Sequence, residues 1–346
     1  MSDPLLEVRG LEKYFEEDTG LVDRLLGREN QTVQAVDGVT FSLSENESKA
    51  VIGESGCGKT TLLRTLVGLY EPTAGELRFR GRDVSEFDKQ DWKDFRNDVQ
   101  IIFQDPFNSL DPKLTVEETL REPLLVHDMD RQDERIWDVC ERVELNPPDQ
   151  YLDRLPKQLS GGEKQRVSIA RALIVEPDVL LADEPVSMLD VSTQASVLNL
   201  LGDLREELGV AMLYISHDLS TVSYVCDEIK VMYLGRVVEQ GPTKQLLDDP
   251  KHPYARSLIR AIPIPDPNHH RERTTIDGTP PNPVDLGDGC RFRDRCPKRM
   301  EVCEKTPRMV DAGDGLETAC HLYYEHGDDD DSNASPDAAD STPEVL

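Results

Sequence analysis

Apolar positions along the chain follow two periods. Residues 5–15 (LLEVRGLEKYF) carry spaced apolar side chains and predict an edge strand. Residues 33–43 (VQAVDGVTFSL) alternate and predict another, after a polar stretch rich in glycine and charge at 16–34. Residues 49–53 (KAVIG) predict a short apolar strand running into a glycine-rich turn. The spacing at 59–69 (KTTLLRTLVGL) predicts a helix, closed by Gly68 and Pro72. A strand at 99–104 (VQIIFQ) stops at Asp105 and Pro106. The stretch 114–155 reads as a helical insert: a capping box from Thr115 to Glu118 opens one helix, and 131–145 is a second amphipathic one. Another capping box, Ser160 to Glu163, opens a helix that Pro177 ends. Residues 179–184 (VLLADE) are continuously apolar, then acidic. A buried parallel strand reads this way when its C-terminal end reaches a site. A helix at 197–209, closed by Gly209, leads into a further buried strand at 210–217 (VAMLYISH). Strands and helices in alternation indicate an α/β fold with a mainly parallel sheet.

Beyond residue 261 the texture changes to proline-rich pieces (IPIPDPNHH, TPPNP), then a cysteine-bearing segment at 289–320. The tail 327–346 has almost no apolar content and predicts disorder. The expected division is 1–262, with the helical insert at about 105–165, then an extension at 263–326 and the tail at 327–346.

Charge changes the picture of the surroundings. The 346 residues include 39 Lys and Arg against 68 Asp and Glu, a net charge of −29. The last twenty residues hold seven acids and no bases, which leaves 61 acids against 39 bases in the rest, so the acidity is spread along the chain. Lysines number 13 and arginines 26. We read this as adaptation to a halophilic cytosol, because a Debye length of ~3 Å at molar salt screens such self-repulsion. The same charge argues against nucleic acid as a partner. No apolar run approaches the ~20 residues of a membrane span. The start, MSDPLLEVRG, lacks the basic and apolar stretches of a signal peptide. A soluble cytoplasmic chain is expected, reaching a membrane only through partners.

Three motifs carry chemistry. Residues 53–60 (GESGCGKT) match the P-loop pattern between a strand and a helix, where backbone N–H groups curl around phosphate oxygens. Lys59 is then expected to reach the β- and γ-phosphates and Thr60 to ligate Mg²⁺. Asp183 and Glu184 leave a buried strand together. Asp183 is the expected Mg²⁺ partner and Glu184 the base that polarises the attacking water. Residues 159–166 (LSGGEKQR) place Ser160, Gly161 and Gly162 at a helix N-terminus, a second anion cradle in one chain.

With LSGGE in place, the chain resembles the ATPase subunits of ABC transporters. The resemblance spans nearly all of 5–320. It implies a P-loop ATPase core with an antiparallel β subdomain and a helical subdomain. It implies that LSGGE contacts the γ-phosphate of ATP held by the P-loop of a second subunit. Gln104 corresponds to the glutamine that senses Mg²⁺ and the membrane partner. Residues 186–190 (VSMLD), ending in Asp190, resemble the D-loop, with Met188 where alanine is more usual. His217 matches the switch histidine on the γ-phosphate, and Tyr14 the aromatic that stacks on adenine. The implied nucleotide contacts are thus Tyr14, Gly53, Glu54, Ser55, Gly56, Cys57, Gly58, Lys59, Thr60 and Thr61, with Ser160, Gly161, Gly162 and Asp190 from the signature and D-loop. Catalysis falls to Glu184, His217, Lys59 and Gln104, and Mg²⁺ to Thr60, Gln104 and Asp183.

The insertion between the first two strands, GESGCGKTT, DPFNSLDP, DVSTQASVLNLL and KHPYARSLIRAIP together resemble the oligopeptide, dipeptide and nickel importer ATPases. This implies an ATP-hydrolysing subunit for uptake of di- or oligopeptides, with nickel or another small solute as the alternative. The implied partners are a second ATPase subunit, identical or homologous, two integral membrane permeases and an extracellular solute-binding protein. The implied location is peripheral, on the cytoplasmic face of the membrane. Soluble ABC-type ATPases acting on DNA or ribosomes usually carry two cassettes or a long coiled coil, and this chain has neither. A non-catalytic subunit would show degenerate motifs, whereas Lys59, Asp183, Glu184 and His217 are intact.

Of seven cysteines, Cys290, Cys296, Cys303 and Cys320 cluster, with five, six and sixteen residues between them. Clustered cytosolic thiols more often mean metal than disulfides. The spacing leaves zinc, iron–sulfur and free thiols open. The subfamily resemblance implies a 4Fe–4S cluster. Cys57, at the start of the P-loop helix, is expected to have a lowered thiol pKa and to make the ATPase sensitive to alkylation.

Overall fold

The computed structural model describes residues 3–16, 31–261 and 281–324. The expected disorder of 327–346 lies outside them. So does most of the polar stretch before residue 34.

Two sheets organise the chain. β1 (Leu6–Glu16), β2 (Thr32–Leu43), β4 (Ala74–Phe79) and β5 (Arg82–Asp83) form an antiparallel sheet in the order β2-β1-β4-β5. β1 pairs on both sides and is therefore interior rather than an edge strand, which its spaced apolar residues did not reveal. The larger sheet contains β3 (Ser48–Ile52), β6 (Val99–Ile102), β7 (Val179–Asp183), β8 (Ala211–Ser216), β9 (Glu228–Tyr233), β10 (Arg236–Pro242), β11 (Val310–Asp311) and β12 (Glu317–Thr318). Its order is β11-β12-β10-β9-β3-β8-β7-β6, parallel from β9 to β6 and antiparallel beyond.

The central strands are buried at every position, as their unbroken apolar runs require. Alternate side chains feed two cores. Val51, Val179, Leu181, Leu213 and Ile215 face the antiparallel sheet and the P-loop helix α1 (Lys59–Leu66), through Leu62, Leu63 and Leu66. Ala50, Ile52, Leu180, Ala182 and Tyr214 face the other way. Beyond α2 (Lys89–Asp98) and the short α3 (Pro106–Ser109), the helical insert packs on that second face. It comprises α4 (Val116–Val126), α5 (Gln132–Arg142) and α6 (Gly161–Leu173). Both expected capping boxes form: Thr115 with Glu118 on α4, and Ser160 with Glu163 on α6. α7 (Val191–Leu208) starts on Asp190, whose carboxylate accepts from the Thr193 N–H at 3.1 Å. Its negative charge is held by the Ser192 and Thr193 hydroxyls, and these hydrogen bonds push its pKa down.

Past α8 (Leu219–Val225), α9 (Thr243–Asp248) and α10 (Pro253–Arg260), the extension returns to the body. β12 pairs with β10 and continues the large sheet. Phe292 enters the second core edge-on against Tyr233, with ring centroids 5.3 Å apart. The extension therefore shares both sheet and core with the ATPase body.

Candidate functional site

The carboxyl ends of β3, β7 and β8 converge on one cleft of about 570 Å³, a size suited to a small organic ligand. Ser55, Gly56, Gly58, Lys59, Thr60 and Thr61 line it from the P-loop, and Gln104, Glu184 and His217 from the loops after β6, β7 and β8. Gly58 has φ +106°, and a Cβ there would run into the Ala35 carbonyl, so only glycine fits. The buried Lys59 ammonium donates to the Gly53 carbonyl at 2.8 Å and the Glu54 carbonyl at 3.2 Å. With the loop's amides and the start of α1, this makes a cradle for polyphosphate.

Glu184 is the hub of the opposite wall. One oxygen of its carboxylate accepts from Gln104 Nε2 at 2.9 Å and lies 2.9 Å from His217 Nδ1. Its backbone holds φ +44°, a left-handed conformation costing roughly 1 kcal/mol for a non-glycine residue. Hydrogen bonds from its N–H to the Ile215 carbonyl and from Ser187 to its own carbonyl maintain that turn. A carboxylate fixed by two side chains and a strained backbone is positioned to orient water.

Thr60 Oγ1 faces Asp183 Oδ1 at 3.5 Å. Burial, reinforced by the neighbouring charge of Glu184, pushes the Asp183 pKa up. A buried carboxylate with a like charge beside it and a hydroxyl ligand opposite is a donor set that fits a hard divalent cation.

Tyr14 does not line the cleft. Adjacent residues on a strand point to opposite faces, and Phe15 takes the cleft side. Tyr14 instead donates its hydroxyl to Asp37 Oδ1 at 2.9 Å. Phe15, Val33, Ala35 and Pro283 form the apolar wall, and Phe15 packs edge-on against Tyr70 at 5.3 Å. Strand alternation puts the two aromatics on opposite faces but does not say which one takes the cleft. Nothing local pointed to Pro283, which belongs to the extension. Gly53, Glu54, Cys57 and Asp183 support the cleft from behind without lining it.

Ser160, Gly161, Gly162 and Asp190 are not brought to this cleft. They group among themselves: a Cβ on Gly162 would press on Thr193, three residues after Asp190. Ser160, exposed at the start of α6, caps that helix and is not part of its own chain's cleft.

Cys57 departs from expectation. It is buried, and burial pushes its thiol pKa up despite the nearby Lys59 charge. The four extension cysteines are free thiols in one neighbourhood. Burial is the main cause raising the pKa of Cys290 and Cys320, each to about 11, and the other thiols add to it. Among the described residues, no three His, Cys, Asp or Glu side chains converge as ligands of a single metal ion. Four thiols are the donor set that an iron–sulfur cluster takes.

A P-loop cleft on a mainly parallel sheet, with a separate signature helix, defines an ABC-type ATPase. The family model described as "ABC transporter" matches residues 36–187, and that of the oligopeptide/dipeptide transporter C-terminal region matches 238–303. The chain is 41% identical over 328 residues to the oligopeptide transport ATP-binding protein AppF of Bacillus subtilis, covering 93% of this chain and 98% of that one. It is 43% identical over 321 residues to the dipeptide transport ATP-binding protein DppF of Haemophilus influenzae, covering 92% and 96%. Among solved structures, the ABC transporter component cbiO1 of Clostridium perfringens superposes with a TM-score of 0.60 at 27% identity, covering 72% of this chain and 92% of that one. The cassette MJ0796, solved as a dimer bound to ADP and Pi, gives 0.59 at 28% identity, covering 69% and 98%. The chain belongs to the oligopeptide/dipeptide transporter family of ABC ATP-binding proteins, and it hydrolyses ATP to drive transport. No helix among the described residues is long and apolar enough to cross a membrane.

Proposed function

We propose that this chain is one of two ATPase subunits beneath a pair of membrane permeases, on the cytoplasmic face, and that it powers uptake of di- or oligopeptides delivered by a solute-binding protein. The observation that carries this is the separation of the P-loop cleft from Ser160, Gly161 and Gly162 within one chain. Two chains arranged head to tail supply each cleft with the other's signature. The peptide cargo rests on the family of the C-terminal region and on the names of the relatives.

Thr60, Asp183 and Gln104 would hold Mg²⁺, which supplies neutralisation of developing phosphate charge. Lys59 and the loop amides bind the β- and γ-phosphates, Glu184 orients the attacking water, and His217 with Gln104 fixes Glu184. The closing motion comes from tighter ATP binding by the closed pair than by the open one. Cys290, Cys296, Cys303 and Cys320 would hold an iron–sulfur cluster, which supplies a rigid cross-link within the extension. Anaerobically purified protein should be brown and bind iron; a colourless, iron-free protein with four titratable thiols overturns the cluster. The acidic surface suits a cell with molar salt.

The transport role is tested by solubilising membranes and purifying a tagged chain. The expected result is stoichiometric recovery of integral membrane subunits, and peptide uptake by the reconstituted complex only with ATP on the chain's side. Recovery of the chain without membrane partners overturns the proposal.

A further inference from the structure

The P-loop is held from outside the ATPase body. Glu54, its second residue, receives a two-pronged contact from Arg295 in the extension: Nη1 donates to Oε2 at 2.8 Å and Nη2 to Oε1 at 3.1 Å. The Arg295 side chain is 8% exposed, and Nη1 also reaches the Tyr233 hydroxyl at 3.2 Å. The Glu54 N–H donates to the Tyr254 hydroxyl at 2.9 Å, so both backbone and side chain of this loop residue are tied to the C-terminal part of the chain.

Two further contacts reach β2, whose Val33 and Ala35 line the cleft. Arg291 pairs with Asp37 on β2 and donates to the Leu234 carbonyl, while Arg236 Nε donates to Asp37 at 2.9 Å. Residues 283–284 run beside the start of β2, where the Gln34 N–H donates to the Pro283 carbonyl at 2.9 Å and Val33 bridges Val284. Pro283 then forms part of the apolar cleft wall. The extension thus touches the phosphate loop, the strand behind the apolar wall, and the wall itself.

A P-loop binds phosphate through backbone amides, and these must already point inward for binding to be tight. A forked arginine–carboxylate pair fixes orientation as well as distance. We propose that Arg295 is a positioning residue of the nucleotide site: the cysteine-bearing extension clamps the P-loop through Glu54 and so raises its affinity for ATP. Arg295 adjoins Cys296, and Arg291 adjoins Cys290, so the order of the cysteine-bearing segment is transmitted to the P-loop. The proposal rests on the cleft being the ATP site, and not on what the cysteines hold.

The test is titration of the full chain with a fluorescent ATP analogue. Arg295→Ala should weaken binding at least about fivefold, Arg295→Lys less, since the charge remains but the fork is lost. Glu54→Gln removes the same contact from the other side and should weaken binding comparably. The double variant Glu54→Gln with Arg295→Ala should be no weaker than the weaker single one. A merely structural role would lower the melting temperature of Arg295→Ala and leave the dissociation constant alone. Affinity within about twofold of the parent in either folded single variant, or full additivity in the double, overturns the clamp. Lys59→Ala separates the two readings: if it abolishes binding while Arg295→Ala leaves affinity within about twofold of the parent, the clamp fails; if it leaves binding intact, the assignment of the cleft fails.

Discussion

The Cys57 thiol sits where a helix start and a lysine both favour the thiolate, yet burial wins and its pKa is pushed up. Little thiolate is present at neutral pH, and its fraction grows as pH rises. Alkylation by iodoacetamide should therefore leave ATPase activity largely intact after an hour at pH 7 and inactivate faster at pH 9; rapid loss at pH 7, protected by ATP, would restore the activated-thiol reading. The gathering of the P-loop residues at the cleft was legible because the motif fixes backbone geometry. Tyr14 and Phe15 were not separable by type, since both are aromatic. Only the strand's pairing decides which of two neighbours faces the cleft.

Elements with long unbroken apolar runs, such as β7 and β8, were readable because full burial leaves no other pattern. β11 and β12 were not, because two residues carry no period. The same shortness hid the continuity of the large sheet into the extension. Phe292 shows what that continuity contributes. It is 1% exposed and packs on Tyr233, Tyr254 and His252. Phe292→Ala should cost about 3–5 kcal/mol in urea unfolding, a typical loss for a large buried aromatic. If the extension unfolds separately from the body, the main transition will stay in place and the shared-core account is wrong. The helical insert was legible in existence and caps, since Thr115 and Ser160 each signal their helix with a glutamate three residues on.

At the scale of the molecule, we propose that the charge of −29 reflects the salt of the surrounding solvent. Raising potassium chloride from about 0.1 M to about 2 M should raise the melting temperature, because screening shortens to ~3 Å near 1 M. A melting temperature already maximal at low salt contradicts a halophilic setting. We propose that an ATPase body and a cysteine-bearing extension, which share one sheet, present a cleft that another chain's signature helix completes. That is the central claim. It is tested most directly by light scattering and phosphate release on Glu184→Gln, alone or mixed with its partner ATPase. The account predicts a pair formed on adding ATP, absent without it, with turnover reduced by about a hundredfold or more. Wild-type phosphate release from a chain that stays single would contradict it.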